Sequence, residues 1–191
     1  MNTETHPLQP FLPANAKILM LGSFPPQRKR WSMEWFYPNI QNDMWRIFGL
    51  IFFHNKDYFY DSSLKAFKLD ILRPFMEEKG IAIYDTATEV RRLKNNASDA
   101  FLEVVRQTDI KALIAQLPLC TAIIATGQKA ADILAEQYQC SALKIGVPLA
   151  VSNNLTLYRM PSSSRSYPLA LEKKAGFYRS VFVKENIEGV R

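Results

Sequence analysis

Ile18-Leu19-Met20-Leu21-Gly22-Ser23-Phe24-Pro25-Pro26 decides the fold class. Four consecutive apolar residues suit a strand buried on both faces, as in a parallel sheet covered by helices. The Gly-Ser-Phe-Pro-Pro that follows cannot extend that strand, because prolines carry no backbone donor for a ladder. The chain turns there and leaves backbone amides and a hydroxyl at the carboxyl end of the strand. In open α/β sheets that edge is where ligands bind.

The same pattern recurs along the chain. Ile81-Ala82-Ile83-Tyr84, Thr121-Ala122-Ile123-Ile124-Ala125 and Leu155-Thr156-Leu157-Tyr158 read as further strands. The run at 121–125 is apolar on both alternating faces and reads as central. Between the strands, Asp43 to Phe53, a segment opened by Thr108-Asp109, a segment opened by Gly127, and Ala170 to Val183 have helical spacing. Leu64 to Lys79 reads as a helix interrupted near Pro74 and closed by Gly80, and Ser98-Asp99 as the cap of a helix carrying Phe101, Leu102 and Val105. Residues 1–15, rich in Pro and polar side chains, read as an irregular arm. Strands alternating with helices predict one α/β domain over 1–191 with a parallel-rich sheet.

Composition narrows the function classes. Among 191 residues, 24 Lys+Arg outnumber 18 Asp+Glu for a net charge of +6, which suits a polyanionic partner. The cations cluster: Gln27-Arg28-Lys29-Arg30-Trp31 follows the first strand, and Arg159, Arg165, Lys173 and Lys174 flank a second turn, Met160-Pro161-Ser162-Ser163-Ser164. No apolar run reaches the length of a membrane span, and the first residues lack the pattern of a secretory signal. The expectation is a cytoplasmic monomer with no membrane partner. Cys120 and Cys140 lack metal-ligand spacing and read as reduced thiols; no metal site and no cofactor is expected. His6 and His54 stand apart from every motif and read as surface or packing residues.

Every strand ends in something polar or turn-forming: Gly22-Ser23, Asp85-Thr86, Thr126-Gly127 and Pro161 to Ser164. Converging, these ends would build a pocket of amides, hydroxyls and one carboxylate. Taken singly, each is also what helix caps and turns use. In order along the chain, Gly22-Ser23-Phe24-Pro25, Tyr37-Pro38-Asn39-Ile40-Gln41-Asn42-Asp43-Met44-Trp45, Gly80 to Asp85 with Arg91-Arg92, Ala125-Thr126-Gly127-Gln128-Lys129-Ala130 and Met160 to Ser164 resemble the motifs of the uracil-DNA glycosylase superfamily. They are most similar to its hypoxanthine-DNA glycosylase-like branch, and the resemblance spans roughly residues 17–182.

The resemblance implies a three-layer sandwich with a central, mostly parallel four-stranded sheet flanked by helices. It implies a monofunctional DNA glycosylase of base excision repair, hydrolysing the N-glycosidic bond of hypoxanthine, xanthine or uracil with water and no cofactor. Phe24 stands where many members carry an acidic or amide residue, so the water-positioning role passes to Asn42. Asn42 is equally the residue type that caps a helix start. Gly22, Ser23, Phe24, Tyr37 and Asp85 are then expected to bind a base flipped out of the duplex, with Phe36 or Tyr37 stacking on it. Pro161, Ser162, Ser163, Ser164, Arg165 and Lys174 are expected to contact DNA. Met160 stands where many members carry a His. A catalytically inactive nucleic-acid-binding member of the same fold, and a hydrolase of free nucleosides or nucleotides, are the alternatives.

Overall fold

A computed structural model describes residues 2–93 and 101–190 of the chain. In order, the elements are β1 (Glu4–Thr5), β2 (Ile18–Gly22), α1 (Met44–Phe53), β3 (Tyr60–Asp61), β4 (Ala66–Phe67), α2 (Leu69–Glu78), β5 (Ile81–Asp85), β6 (Ala87–Arg92), β7 (Leu102–Gln107), α3 (Ile110–Ile114), β8 (Ala122–Thr126), α4 (Gln128–Tyr138), β9 (Leu149–Ser152), β10 (Leu155–Met160) and α5 (Leu171–Lys184). A single 3-10 turn covers Arg28–Arg30.

The main sheet has the order β5-β2-β8-β10-β9. The four expected strands run parallel, and β9 adds an antiparallel edge strand beside β10. β2, β5 and β8 are buried at every position, which explains their unbroken apolar runs. The connection from β2 to β5 crosses the sheet one way, and those from β5 to β8 and on to β10 cross the other way. Right-handed crossovers therefore put α1 and α2 on one face and α3 and α4 on the opposite one. Side chains agree: rings of Phe48 and Phe52 on α1 meet Phe75 of α2 and Phe182 of α5 at 5.0–6.3 Å. On the other face, Gln137 of α4 accepts the amide proton of Ile110 at the start of α3. The result is helices, sheet, helices, with the aromatic core under α1, α2 and α5.

Three local expectations are corrected. α2 starts at Leu69, not Leu64, and runs through Pro74 without a break. Pro74 is exposed, while Leu72, Phe75 and Met76 are buried against the core, and that burial outweighs the one missing ladder bond. Leu102 and Val105 lie on a strand, not a helix: β7 pairs antiparallel with β6. The β-branched pair Val104-Val105 fits a pleated ladder once a partner strand is present; the expected cap Ser98-Asp99 lies outside the described residues. The arm at 1–15 is not irregular throughout, because β1 pairs with β6 at Glu4–Val90 and Thr5–Glu89, and Phe11 forms a bridge with Ile83.

Candidate active site

Register brings the strand ends into one row. Gly22 pairs with Asp85, Leu21 with Ala125, and Met160 with Thr126, so Gly22, Asp85, Thr126 and Met160 share one level across the carboxyl edge. The crossover direction reverses at β2, between β5 and β8, and a crevice opens at such a switch point. A cavity of about 670 Å³ lies there, lined by residues that include Gly22, Ser23, Phe24, Tyr37, Asn42 and Asp85. Its volume is in the range of small-ligand pockets.

Gly22 is required by close approach. A Cβ at that position would stand 2.3 Å from Asp85 Oδ1 and 3.1 Å from the Tyr37 hydroxyl. Tyr37 holds a left-handed φ of 47°, an uncommon state for a non-glycine residue. Its hydroxyl lies 2.6 Å from Thr126 Oγ1, which itself donates to the Leu21 carbonyl at 3.1 Å. Thr126 has one hydroxyl proton and spends it on Leu21, so Tyr37 is the donor in their pair. Burial and, behind it, the neighbouring Asp85 carboxylate push the Tyr84 phenol above its ordinary value, so Tyr84 stays neutral. Phe36 is buried at 2 % exposure, edge-on to Trp35 and Tyr84. It serves as cavity wall, which leaves Tyr37 as the better placed of the two rings expected to stack.

Asn42 stands one residue ahead of the α1 N-cap, Asp43, and lines the cavity. Its Oδ1 accepts the Met44 amide proton at 2.9 Å in a side-chain turn that fixes the amide beside the start of α1. Among the described residues none bonds its Nδ2, and the second lone pair of Oδ1 is also left over. Trp45 holds the preceding loop, with Nε1 donating to the Phe36 carbonyl at 3.1 Å and its ring stacked on Trp35.

The Ser-rich loop after β10 docks on this same segment. Asp43 N donates to Ser163 O at 2.8 Å, Arg165 N donates to Gln41 O at 3.2 Å, and Asn42 forms a bridge with Ser164. Pro161, Ser162, Ser163, Ser164 and Arg165 all line the cavity, with Pro161 and Ser163 buried and Arg165 exposed. Lys174 departs from expectation. It is fully buried, and Nζ binds Asp43 Oδ2 at 3.1 Å and Ser164 O at 2.8 Å. Its charge holds two loops together inside the protein and cannot meet a phosphate, because four methylenes on a buried helix face lead it inward.

The charged side chains on the wall are Arg30, Arg92, Lys129, Arg159 and Arg165 against Asp85 alone. Arg30 and Arg159 each keep a buried Nε without a partner among the described residues. The first turn of α4 adds the positive end of its dipole, since Gly127, Gln128 and Lys129 also line the cavity. The wall therefore carries an excess of positive charge, with Arg92 paired to Glu4 and Arg165 to Asp43. Sequence reasoning found the strand-end residues because each follows an apolar run. It missed His6, whose Nε2 lies 2.9 Å from Asp85 Oδ2 with the side chain 2 % exposed. No local signal marks a histidine whose partner is 79 residues away.

No protein-family model matches the chain, and no curated protein matches it. Solved structures do: that of a provisionally assigned uracil DNA glycosylase from Methanosarcina acetivorans, determined in solution, aligns with 93% of this chain and 98% of its own at 21% identity and a TM-score of 0.60, a likeness of fold.

Proposed function

We propose that the chain is a monofunctional DNA glycosylase of the hypoxanthine-DNA glycosylase-like branch of the uracil-DNA glycosylase superfamily, removing hypoxanthine, xanthine or uracil from DNA. One observation carries the reading: the Gly22–Phe24 turn, Asn42 and the 161–165 loop line a single cavity walled by cations. The shared fold with a provisionally assigned uracil DNA glycosylase supports it. A damaged base is reached only when it leaves the stack, and a cavity of about 670 Å³ accommodates one flipped nucleotide. The cations hold the flanking phosphates, and the reading extends to a cytoplasmic monomer acting on DNA.

The chemistry follows from the groups present. The bond between C1′ and the base nitrogen breaks, the base leaves with the electron pair and gains a proton, and water supplies a hydroxyl to C1′. Asn42 has Nδ2 and a lone pair of Oδ1 to hold that water, and its bond to the Met44 amide keeps the side chain from rotating. Backbone amides of the Ser23 turn and the α4 start, which belong to the cavity lining, would stabilise negative charge on the departing base. Duplexes carrying one deaminated base each, incubated with protein and cleaved with alkali at abasic sites, test this. Asn42→Ala is expected to lower the single-turnover rate about 100-fold or more, with duplex affinity nearly unchanged. Salt-sensitive binding without cleavage of any duplex would identify a nucleic-acid-binding protein instead, and base release from free nucleosides alone a nucleoside hydrolase.

A further inference from the structure

His6 reaches the cavity wall from the arm rather than from the sheet. Its imidazole packs against Tyr84 at 4.6 Å, Phe24 at 5.3 Å and Phe36 at 6.3 Å. Pairing of β1 with β6 on one side and the Phe11–Ile83 bridge on the other pin the arm around it. Leu8 offers Nδ1 both its amide, at 3.1 Å, and its carbonyl, at 2.9 Å. Whichever of the two Nδ1 uses, Nε2 is the ring nitrogen left to donate to Asp85 Oδ2.

The other carboxylate oxygen is placed differently. Asp85 Oδ1 lies against Gly22, where only the missing Cβ makes room, and no described residue donates to it. One oxygen is tied back by the arm, and the other, beside Gly22 in a residue that lines the cavity, keeps its lone pairs.

We propose that His6 is a positioning residue of this site: it holds the Asp85 carboxylate so that Oδ1 is a fixed acceptor for a ring N–H on the edge of the bound base. The identity of the ligand rests on the glycosylase reading; the dyad does not. Uracil, hypoxanthine and xanthine each carry such an N–H. Cytosine and adenine present a lone pair at the equivalent ring position, which a fixed carboxylate repels. The dyad sorts uracil and hypoxanthine from the undamaged bases they arise from.

Two measurements test it. In single-turnover assays at saturating duplex, His6→Ala is expected to slow cleavage about 10- to 100-fold with affinity held within about twofold. His6→Gln, whose amide donates from near the Nε2 position, is expected to restore most of the rate. A wild-type rate in His6→Ala, or no recovery in His6→Gln, overturns the proposal. The second measurement needs no activity. The chain has two histidines, so ¹⁵N imidazole spectra can be assigned with a His54→Asn variant. Asp85→Asn, and separately saturation with free uracil or hypoxanthine, are expected to shift the His6 Nε2 resonance. No shift with Asp85→Asn means no dyad, and no shift with either base means no acceptor role; each overturns the proposal. Both shifts in a protein that cleaves no duplex would instead refute the glycosylase reading and leave the dyad standing.

Discussion

At the scale of single residues, the site turns on atoms that a sequence names but does not orient. Asn42 was open to two readings, helix cap or water holder; the N-cap position falls to Asp43, and the Asn42 bond to Met44 uses one lone pair of Oδ1 and leaves the rest of an amide that lines the cavity without a partner among the described residues. Gly22 is a packing requirement, with no left-handed backbone involved. Gly22→Ala would drive a methyl into Asp85 Oδ1, at 2.3 Å, so the carboxylate must move. The expected cost is about 1–3 kcal/mol of stability, as for other overpacked sites, read from the urea midpoint. Base release is expected to slow as well if Asp85 Oδ1 is the proposed acceptor, because that oxygen is the atom displaced. An Ala variant with unchanged midpoint and rate would show that the approach is not tight in solution. Phe24, expected to contact the base, lies at the wall with the Arg92 guanidinium 5.6 Å from its ring centre, and its ring carries no group that could transfer a proton.

At the scale of elements, two loops far apart in sequence behave as one unit. Lys174 on α5 anchors both, through Asp43 before α1 and Ser164 after β10, and Arg165 Nε adds a bond to Asp43 at 3.3 Å. Lys174→Met keeps the chain volume but leaves the buried Asp43 carboxylate with the exposed Arg165 in place of a buried ammonium. Destabilisation of up to about 3 kcal/mol, the lower end for loss of a buried charge partner, is expected in chemical unfolding, because Arg165 compensates part of the carboxylate's charge. The double variant Lys174→Met with Asp43→Asn is expected to recover part of that loss, and a double variant no more stable than the single would argue against the pair as its source. The elements that sequence misread have a shared cause. β7 and the arm strand β1 are stabilised by β6, a partner no local window contains. Pro74 stays helical because neighbours on α1 reward burial of Phe75.

At the scale of the molecule, burial has a consequence at high pH. It pushes the Cys120 thiol up from 9.0 to about 11. It also raises the phenols of Tyr84, Tyr138, Tyr158 and Tyr178 above their ordinary 10.0. Above these ordinary values the unfolded chain releases protons that the fold retains, so the unfolded state binds fewer and stability falls as pH rises. The urea midpoint is expected to decline progressively from about pH 9 to beyond pH 11, and a midpoint unchanged across that window would contradict the burial of these groups. The charge balance acts at the same scale: the five cations that line the cavity lie on the 3-10 turn, β6, α4, β10 and the loop after β10, and only the fold gathers them.

The sequence by itself determined the four parallel strands of the main sheet, their order of appearance and the residues at their ends, because apolar runs and Gly/Pro breaks are local signals with local causes. It also marked the Ser-rich loop and Asn42 as the places where chemistry would sit. Only the tertiary structure decided which of those residues meet. Parallel register set Gly22 beside Asp85, the crossover reversal opened the cavity, and the fold turned Lys174 inward while bringing His6 in from the arm. Those outcomes depend on contacts between residues up to 131 positions apart, and the local pattern around one partner holds no trace of the other.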